Sequence, residues 1–234
     1  MNTAMSTLFD LPATPTIPVL GETAAFPVRR VFCAGRNYVA HALEMGLPTD
    51  KGEPYFFAKS AWAMCPSGAT IPFALGSDEY HYEMELVVAI GAPAFRISES
   101  DALSIVLGYA CGLDMTRRDL QRMAKSEGNP WDFAKDFENS GVIAPITRAA
   151  DFQLGDQQLR LAQNGEVKQD AAISDMIFSV PELISYLSKF YHLEPGDLLY
   201  TGTPAGVGPI AVGDRLVGTI EGLTPVELAI GARE

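Results

Sequence analysis

The sequence predicts a single α+β domain in which β-structure predominates. Three observations carry that prediction. Apolar runs of strand length outnumber helix-like ones. Turn signals rich in Gly, Pro, Asn and Asp recur between them. No low-complexity tract, solenoid period or linker divides the chain. With 234 residues, 47% of them hydrophobic and 20% charged, the chain can bury one large core.

A Pro-rich arm fills the N-terminus, with its prolines from about residue 11 and its end at residue 27, so the layout is an arm over 1–27 and one domain over 28–234. "VRRVFCAG" then reads as a strand ending at Gly35. "RNYVAHALEMG" follows as a short helix with Asn37 as N-cap and Gly46 as its stop. "EPYFFAKS" and "ELVVAIG" are strands, and "SESDALSIVLGY" joins a capped helical start to a strand. "GYACGLD" sets Gly108, Ala110, Gly112 and Asp114 on one face, leaving room there for something to approach. "MTRRDLQRMAKSEGNP" is a helix with a capping-box pattern at Thr116 and Asp119, stopped by Gly128 and Pro130. "LRLAQNGEVKQD" is a hairpin turning at Asn164-Gly165. "DMIFSVPELISYLSKFYHL" is an amphipathic helix starting near Ser179, with Pro181 in its first turn and His192 at its end. "EPGDLLYTGTPAGVG" and "AVGDRLVGTIEGL" are turn-strand units. Trp62, Trp131 and the "YFF" run read as core.

Composition excludes several functions. A net charge of −12 argues against a nucleic-acid footprint, and the pairs Arg29-Arg30 and Arg117-Arg118 are too short to make one. Cys33, Cys65 and Cys111 are odd in number and lack CxxC spacing, which predicts free core thiols in a reducing compartment. The N-terminal stretch lacks a basic n-region and is broken by prolines, unlike a signal peptide. The uncharged run after Glu85, "LVVAIGAPAF", is far short of a membrane span. A cytoplasmic globular protein is the expectation.

The chemistry begins in "HYEMELVVAIG". On a strand Glu83 and Glu85 share a face, with His81 beside them. Two anions at the edge of an apolar run repel each other and resist desolvation. A solvated strand face would tolerate that, and so would a divalent cation. Asp114 ends a strand whose same-face neighbours are small, which favours the cation. Three carboxylates without imidazole or thiolate favour Mg²⁺ or Mn²⁺ over Zn²⁺. There is no P-loop, dinucleotide fingerprint or GxSxG elbow.

Six segments, "GRNYVAHALEMG", "EPYFFAKS", "HYEMELVVAIG", "GYACGLDMTRRDLQ", "NPWDFAKDFENS" and "GDLLYTGTPAGVG", occur in the order seen in the fumarylacetoacetate hydrolase family. The resemblance spans about residues 28 to 222 and is strongest to the acylpyruvate-hydrolase branch, including bacterial enzymes of gentisate degradation that cleave fumarylpyruvate or maleylpyruvate. It implies a mixed β-roll with short flanking helices, a homodimer, and Mg²⁺ or Mn²⁺ held by Glu83, Glu85 and Asp114, the same three residues that spacing selects.

The resemblance also implies roles that the residues alone would not. His41 and Glu44, at i and i+3, read alone as a surface hydrogen bond; in the family such a pair activates water, and the short helix before Gly46 suggests a movable lid. Lys135 becomes an active-site cation, and Arg118, Gln121 and Thr203 become substrate contacts. Thr203 opens a Gly-rich loop whose backbone N–H groups can receive a carboxylate. His81 reads as a supporting or structural residue. Ser60, Glu138 and "SGVIAPI" depart from the family pattern; the Ser60 change is expected to be structural, and the others, close to Lys135, bear on substrate choice. The implied activity is hydrolysis of a C–C bond in an acylpyruvate, a small dicarboxylate giving pyruvate plus fumarate or maleate. Oxaloacetate decarboxylation and isomerisation of an unsaturated keto-diacid are the alternatives, and a non-catalytic metal-binding protein is disfavoured.

Overall fold

Strand Met84–Ile90 is buried at every position. Met84, Leu86, Val88 and Ile90 belong to the larger apolar core. Val87 and Ala89 belong to a smaller core on the opposite face. A strand with packed structure on both faces divides its side chains in this way. The computed structural model describes residues 8–46 and 49–234, so the first seven residues of the expected arm lie outside the described residues.

That strand sits inside an eight-stranded sheet. The order is Phe56–Lys59, Arg30–Ala34, Asp197–Tyr200, Met84–Ile90, Val106–Asp114, Gly141–Ile143 and Met64–Pro66, with Thr147–Arg148 also paired to Val106–Asp114. A second sheet of five strands runs Glu166–Ala172, Gln158–Gln163, Arg215–Ile220, Val226–Ile230 and Ala69–Ile71. Leu159, Leu161, Leu216 and Leu228 of this sheet share the larger core with Leu86 and Val88, so that core is common to the two sheets. On the other face of the eight-stranded sheet, Ile17, Val19, Phe26 and Val28 cover Val31, Cys33, Val87 and Ala110. The first and third of these residues lie in the hairpin Thr16–Ile17 and Phe26–Pro27. This is the sheet-dominated α+β roll with few helices that the sequence implies.

Among the described residues four short α-helices flank the sheets: α1 (Val39–Glu44), α2 (Arg118–Glu127), α3 (Asp132–Lys135) and α4 (Val180–Leu187). Ser179 and Glu182 form a full capping box on α4, with Pro181 in its first turn. The helix ends at Leu187, short of the expected run, and His192 instead stacks on Phe95 at 4.1 Å. Gly46 and Gly128 take left-handed φ values of +64° and +71° where α1 and α2 stop. The Asn164-Gly165 turn has both residues at positive φ, as a tight hairpin requires.

Several local expectations are corrected. Asn37 does not cap α1, whose N-cap is Tyr38 without a side-chain bond. Its amide instead donates to Phe178 O and Thr201 O and accepts from Phe178 N, tying together three distant segments. Thr116 and Asp119 form no capping box. Thr116 Oγ1 donates to Asp114 O, and Asp119 accepts from Ser77 Oγ and Asp78 N. The room beside Gly112 is taken by the protein itself, because Val87 and Tyr200 side chains lie against it, closer than a Cβ would allow. Cys33, Cys65 and Cys111 are free and buried, as expected.

Candidate active site

The face that carries Val87, Ala89 and Ala110 ends in acid. Glu85 pairs with Gly112 across the ladder, and Asp114 N donates to Glu83 O at 2.8 Å. This register brings Glu83, Glu85 and Asp114 together, with one carboxylate oxygen from each within 4.8 Å of the others. All three are buried, Asp114 completely.

Cations crowd one side of this cluster. Lys135, at the end of α3, sends its three N–H groups to Glu83 Oε2 at 2.8 Å, Asp114 Oδ2 at 2.7 Å and Thr116 Oγ1 at 2.7 Å. Arg118, on the first turn of α2, donates to Glu83 Oε1 and to Gln121 Oε1, each at 2.5 Å. Its Nε reaches His81 Nδ1 at 3.4 Å, while His81 Nε2 lies 3.1 Å from Glu79. Burial, helped by Arg118, pushes His81 down to about 4, so its imidazole is neutral and Nδ1 can accept. Lys59, fully buried on the strand Phe56–Lys59, ion-pairs with Asp114 Oδ1 at 2.8 Å and donates to Lys135 O and Ser140 Oγ.

The three carboxylates respond differently to these surroundings. Burial would raise Glu83, but the charges of Lys135 and Arg118 outweigh it and hold that carboxyl well below the usual range. Glu85 is pushed well above its usual range by burial and by the neighbouring anions Asp114 and Glu83. It accepts from Gly202 N at 2.7 Å, and among the described residues no cationic side chain pairs with it. Lys135 is raised, because Asp114 and Glu83 overcome its burial.

Two features suit a hard divalent ion on the Glu85 side. Glu85 is a buried carboxyl that, among the described residues, has no cationic side chain paired with it. Asp114 Oδ1 takes no hydrogen bond, because Lys59 Nζ lies beside it in ion-pair contact but outside hydrogen-bond geometry. An all-oxygen donor set of this charge matches Mg²⁺ or Mn²⁺.

The opposite wall is α1. His41 Nδ1 lies 3.1 Å from Glu44 Oε2, and Glu44 Oε1 accepts from Gly206 N at 3.0 Å. Burial opposes ionisation of Glu44, yet the bonds from His41 and Gly206 hold it below the usual carboxylate range. The Gly-rich loop therefore does receive carboxylates, but they are the protein's own: Glu85 at Gly202 and Glu44 at Gly206. Thr203 donates to Met84 O at 2.8 Å and accepts from Gln169, whose Oε1 takes Met84 N at 3.0 Å. Gln169 thereby clamps the residue between Glu83 and Glu85 to the loop.

All nine residues singled out from the sequence meet here. His41, Glu83, Glu85, Arg118, Gln121, Lys135 and Thr203 line one narrow cleft, while Asp114 and Glu44 stand behind it through Lys135 and His41. Sequence reasoning missed Lys59, Gln169 and Lys125, the last of which also lines the cleft. Its core reading of the aromatic residues holds in part, since Phe56 packs against the larger core and Phe57 against the smaller one. Trp62 is 50% exposed rather than core. Tyr55, Phe56, Phe57 and Trp131 line an adjoining cavity of about 400 Å³ that shares Trp131 and Lys135 with the cleft. Clustering of "YFF" and "NPW" near the two lysine motifs was the available signal.

A buried carboxylate triad, a His-Glu pair and a lysine on a mixed β-roll define a class of metal-assisted enzymes acting on small keto acids. Residues 30–230 match the family described as "Fumarylacetoacetate (FAA) hydrolase C-terminal", and the chain belongs to the fumarylacetoacetate hydrolase family. It is 45% identical over 192 residues to a fumarylpyruvate hydrolase of Ralstonia sp, covering 81% of this chain and all of that one. It is 41% identical over 207 residues to an oxaloacetate tautomerase of Escherichia coli, covering 86% of this chain and 93% of that one. A crystal structure of fumarylpyruvate hydrolase from Pseudomonas aeruginosa, in complex with Mn²⁺ and pyruvate, superposes with a TM-score of 0.94 at 42% identity over 97% of this chain and all of that one.

Proposed function

We propose that this protein hydrolyses a C–C bond of an acylpyruvate, either fumarylpyruvate or maleylpyruvate, to pyruvate plus fumarate or maleate. The observation that carries the reading is the meeting, in one cleft, of the Glu83, Glu85 and Asp114 oxygens with His41 and Lys135. Glu83, Glu85 and Asp114 would hold Mg²⁺ or Mn²⁺. When bound, the ion supplies Lewis-acid stabilisation for negative charge at the 2-keto-acid end of the substrate.

The chain's own groups do the rest. Glu44 accepts the Nδ1 proton of His41, which fixes the tautomer and leaves Nε2 as the base. His41 takes a proton from water, and the oxygen adds to the carbonyl farther from the substrate's keto-acid end. Gln121 gives its Oε1 to Arg118, so its amide N–H₂ is left to donate to the resulting oxyanion, beside the positive charge of Lys135. The C–C bond then breaks, its electron pair leaves with the pyruvate carbon, and the proton held on His41 can return to that carbon. Arg118 and Thr203 would bind substrate at the keto-acid end.

The working unit is proposed to be a cytoplasmic homodimer in gentisate breakdown, with residues 28–234 as the catalytic domain behind an arm over 1–27. Among the described residues, no helix is long and apolar enough to cross a membrane. Purified protein with Mg²⁺ or Mn²⁺ should convert fumarylpyruvate or maleylpyruvate to pyruvate and the matching diacid in equal amounts, read by NMR. Inertness towards both acylpyruvates, with oxaloacetate tautomerised or decarboxylated instead, would move the assignment to the activity of the Escherichia coli relative or to the decarboxylase alternative.

A further inference from the structure

Three cations line the cleft: Arg118, Lys125 and Lys135. Two are already held by the protein's own polar groups. Arg118 is held by Glu83, Gln121 and His81, and Lys135 by Glu83, Asp114 and Thr116. Arg122, next along α2, is tied outside the cleft to Glu79 through both of its terminal nitrogens. Lys125 differs. Its Nζ lies 5.2 Å from the centre of the Trp131 ring, and among the described residues no carboxylate pairs with it.

Its position on α2 gives that ammonium a direction. Arg118, Gln121 and Lys125 follow at i, i+3 and i+7, so they form one stripe along the helix face that borders the cleft. Seven residues of helix at 1.5 Å each place Lys125 about 10 Å beyond Arg118. Trp131 lines both the cleft and the aromatic cavity, so Lys125, beside Trp131, stands where the two adjoin. The keto-acid end of an acylpyruvate belongs at the triad. Its acyl arm then has to point towards this junction, and the unpaired ammonium is waiting there.

We propose that Lys125 is the specificity-determining residue that receives the distal carboxylate of the substrate, so that the preferred acylpyruvates are dianions. The proposal rests on the acylpyruvate reading. It makes the acyl arm an acid chain of the fumaryl or maleyl kind and disfavours neutral acyl groups. The planar unsaturated arm would lie against Trp131, with its carboxylate exchanging water for the Lys125 ammonium. A charge-assisted bond of this kind is geometrically undemanding on the lysine side, since three N–H groups turn freely about one stem.

The test compares two substrates and two inert ligands in the Mg²⁺-loaded protein. Lys125→Met keeps the apolar stem over Trp131 and removes the charge; Lys125→Arg keeps the charge. Lys125→Met should lose about 10- to 100-fold in kcat/KM on fumarylpyruvate, the range of a bond to a charged group. On acetylpyruvate, which lacks the distal carboxylate, the loss should stay below about 2-fold, and Lys125→Arg should retain most of the fumarylpyruvate rate. Binding is read separately by calorimetry with 2-oxopimelate, a seven-carbon keto-diacid with no second carbonyl to attack, against pyruvate. The wild type should bind 2-oxopimelate more tightly, and Lys125→Met should erase that preference while leaving pyruvate unchanged. Equal losses on both substrates, or no loss on either, would overturn the assignment of Lys125 while leaving the hydrolase reading intact. If no acylpyruvate is hydrolysed at all, that reading fails, and the calorimetry alone decides the role of Lys125: a 2-oxopimelate preference that survives Lys125→Met refutes it.

Discussion

Asp114 ends a nine-residue strand hydrogen-bonded on both sides, whereas His41 lies on a six-residue helix whose first turn has no side-chain cap. The floor of the cleft is overdetermined. Asp114 is positioned by two neighbouring strands and paired with two buried lysines, and Glu83 with one lysine and one arginine. The His41 wall is held mainly at its ends, by the Glu44 contact, the Gly206 bond, a bridge between Tyr38 and Met176 and the Asn37 amide just before the helix. A metal site needs ligand positions that do not relax when charge is brought together, and buried ladders supply that. A water-activating pair needs access, and a short helix beside a loop supplies that. Damage to the floor should therefore reach the fold, and damage to the wall should fall mainly on turnover.

The sharpest way to break this contrast is Asp114→Ala. It leaves Lys59 without its ion-pair partner and Lys135 with Glu83 alone, and removing one member of a buried ion pair costs about 3–5 kcal/mol. We expect a large drop in melting temperature, no Mn²⁺ binding by calorimetry and no activity. The wild type should lose activity reversibly in EDTA and melt at a higher temperature with Mg²⁺, since an ion bound only by the native state stabilises it. Full activity after exhaustive chelation would remove the metal from the mechanism.

His41→Ala should show the opposite signature. A fall in kcat of about 10²- to 10⁴-fold is the usual worth of a general base, with melting temperature and Mn²⁺ affinity close to wild type. The double variant with Glu44→Gln should be little worse than either single one, because the pair acts as a unit. Loss of Mn²⁺ affinity in His41→Ala would show that wall and floor are not separable.

Gly206→Ala probes the tie between wall and loop. Gly206 sits at φ +96°, and a Cβ there would lie 2.0 Å from Lys168 O, so the loop has to move. The Gly206 N–H bond to Glu44 should weaken, and kcat should fall by less than in His41→Ala while Mn²⁺ affinity holds.

The smallest effect is a pH dependence. Glu44 is held below its ordinary range, so its stabilising contribution is present above the unfolded carboxylate pKa and is lost as pH falls through the lower folded value. Urea midpoints measured from neutral to acidic pH should fall slightly less in Glu44→Gln than in the wild type. Identical profiles would mean that the bonds to His41 and Gly206 add nothing to stability.

How much of this was legible in the sequence follows the reach of each interaction. Glu83, Glu85 and Asp114 could be found because strand alternation is local, and the Asn164-Gly165 turn and the Ser179 cap because their chemistry lies within four residues. Asn37 was misread as a cap because its real partners lie 141 and 164 residues away. Lys59 was invisible for the same reason: its meeting with Asp114 depends on how strands stack across the sheet, which no short window contains. Trp131 and the "YFF" run look like core by hydrophobicity, and only their placement in three dimensions shows that they line the cavity beside the cleft, with Trp131 bordering both.

The strand Asp197–Tyr200 lies between Arg30–Ala34 and Met84–Ile90, parallel to the first and antiparallel to the second. Asp197, buried, holds Arg30 at the start of that parallel pair across 167 residues of sequence. During synthesis both earlier strands leave the ribosome long before the strand that separates them. Each must wait with an open edge, able to pair with another chain or with the wrong neighbour. Closure over so long a loop makes folding slow, and this predicts a nascent chain that depends on protection until about residue 200 has emerged. A chain truncated before Asp197 would lack both this strand and the Gly202 N–H that holds Glu85, so partial synthesis yields no partial enzyme.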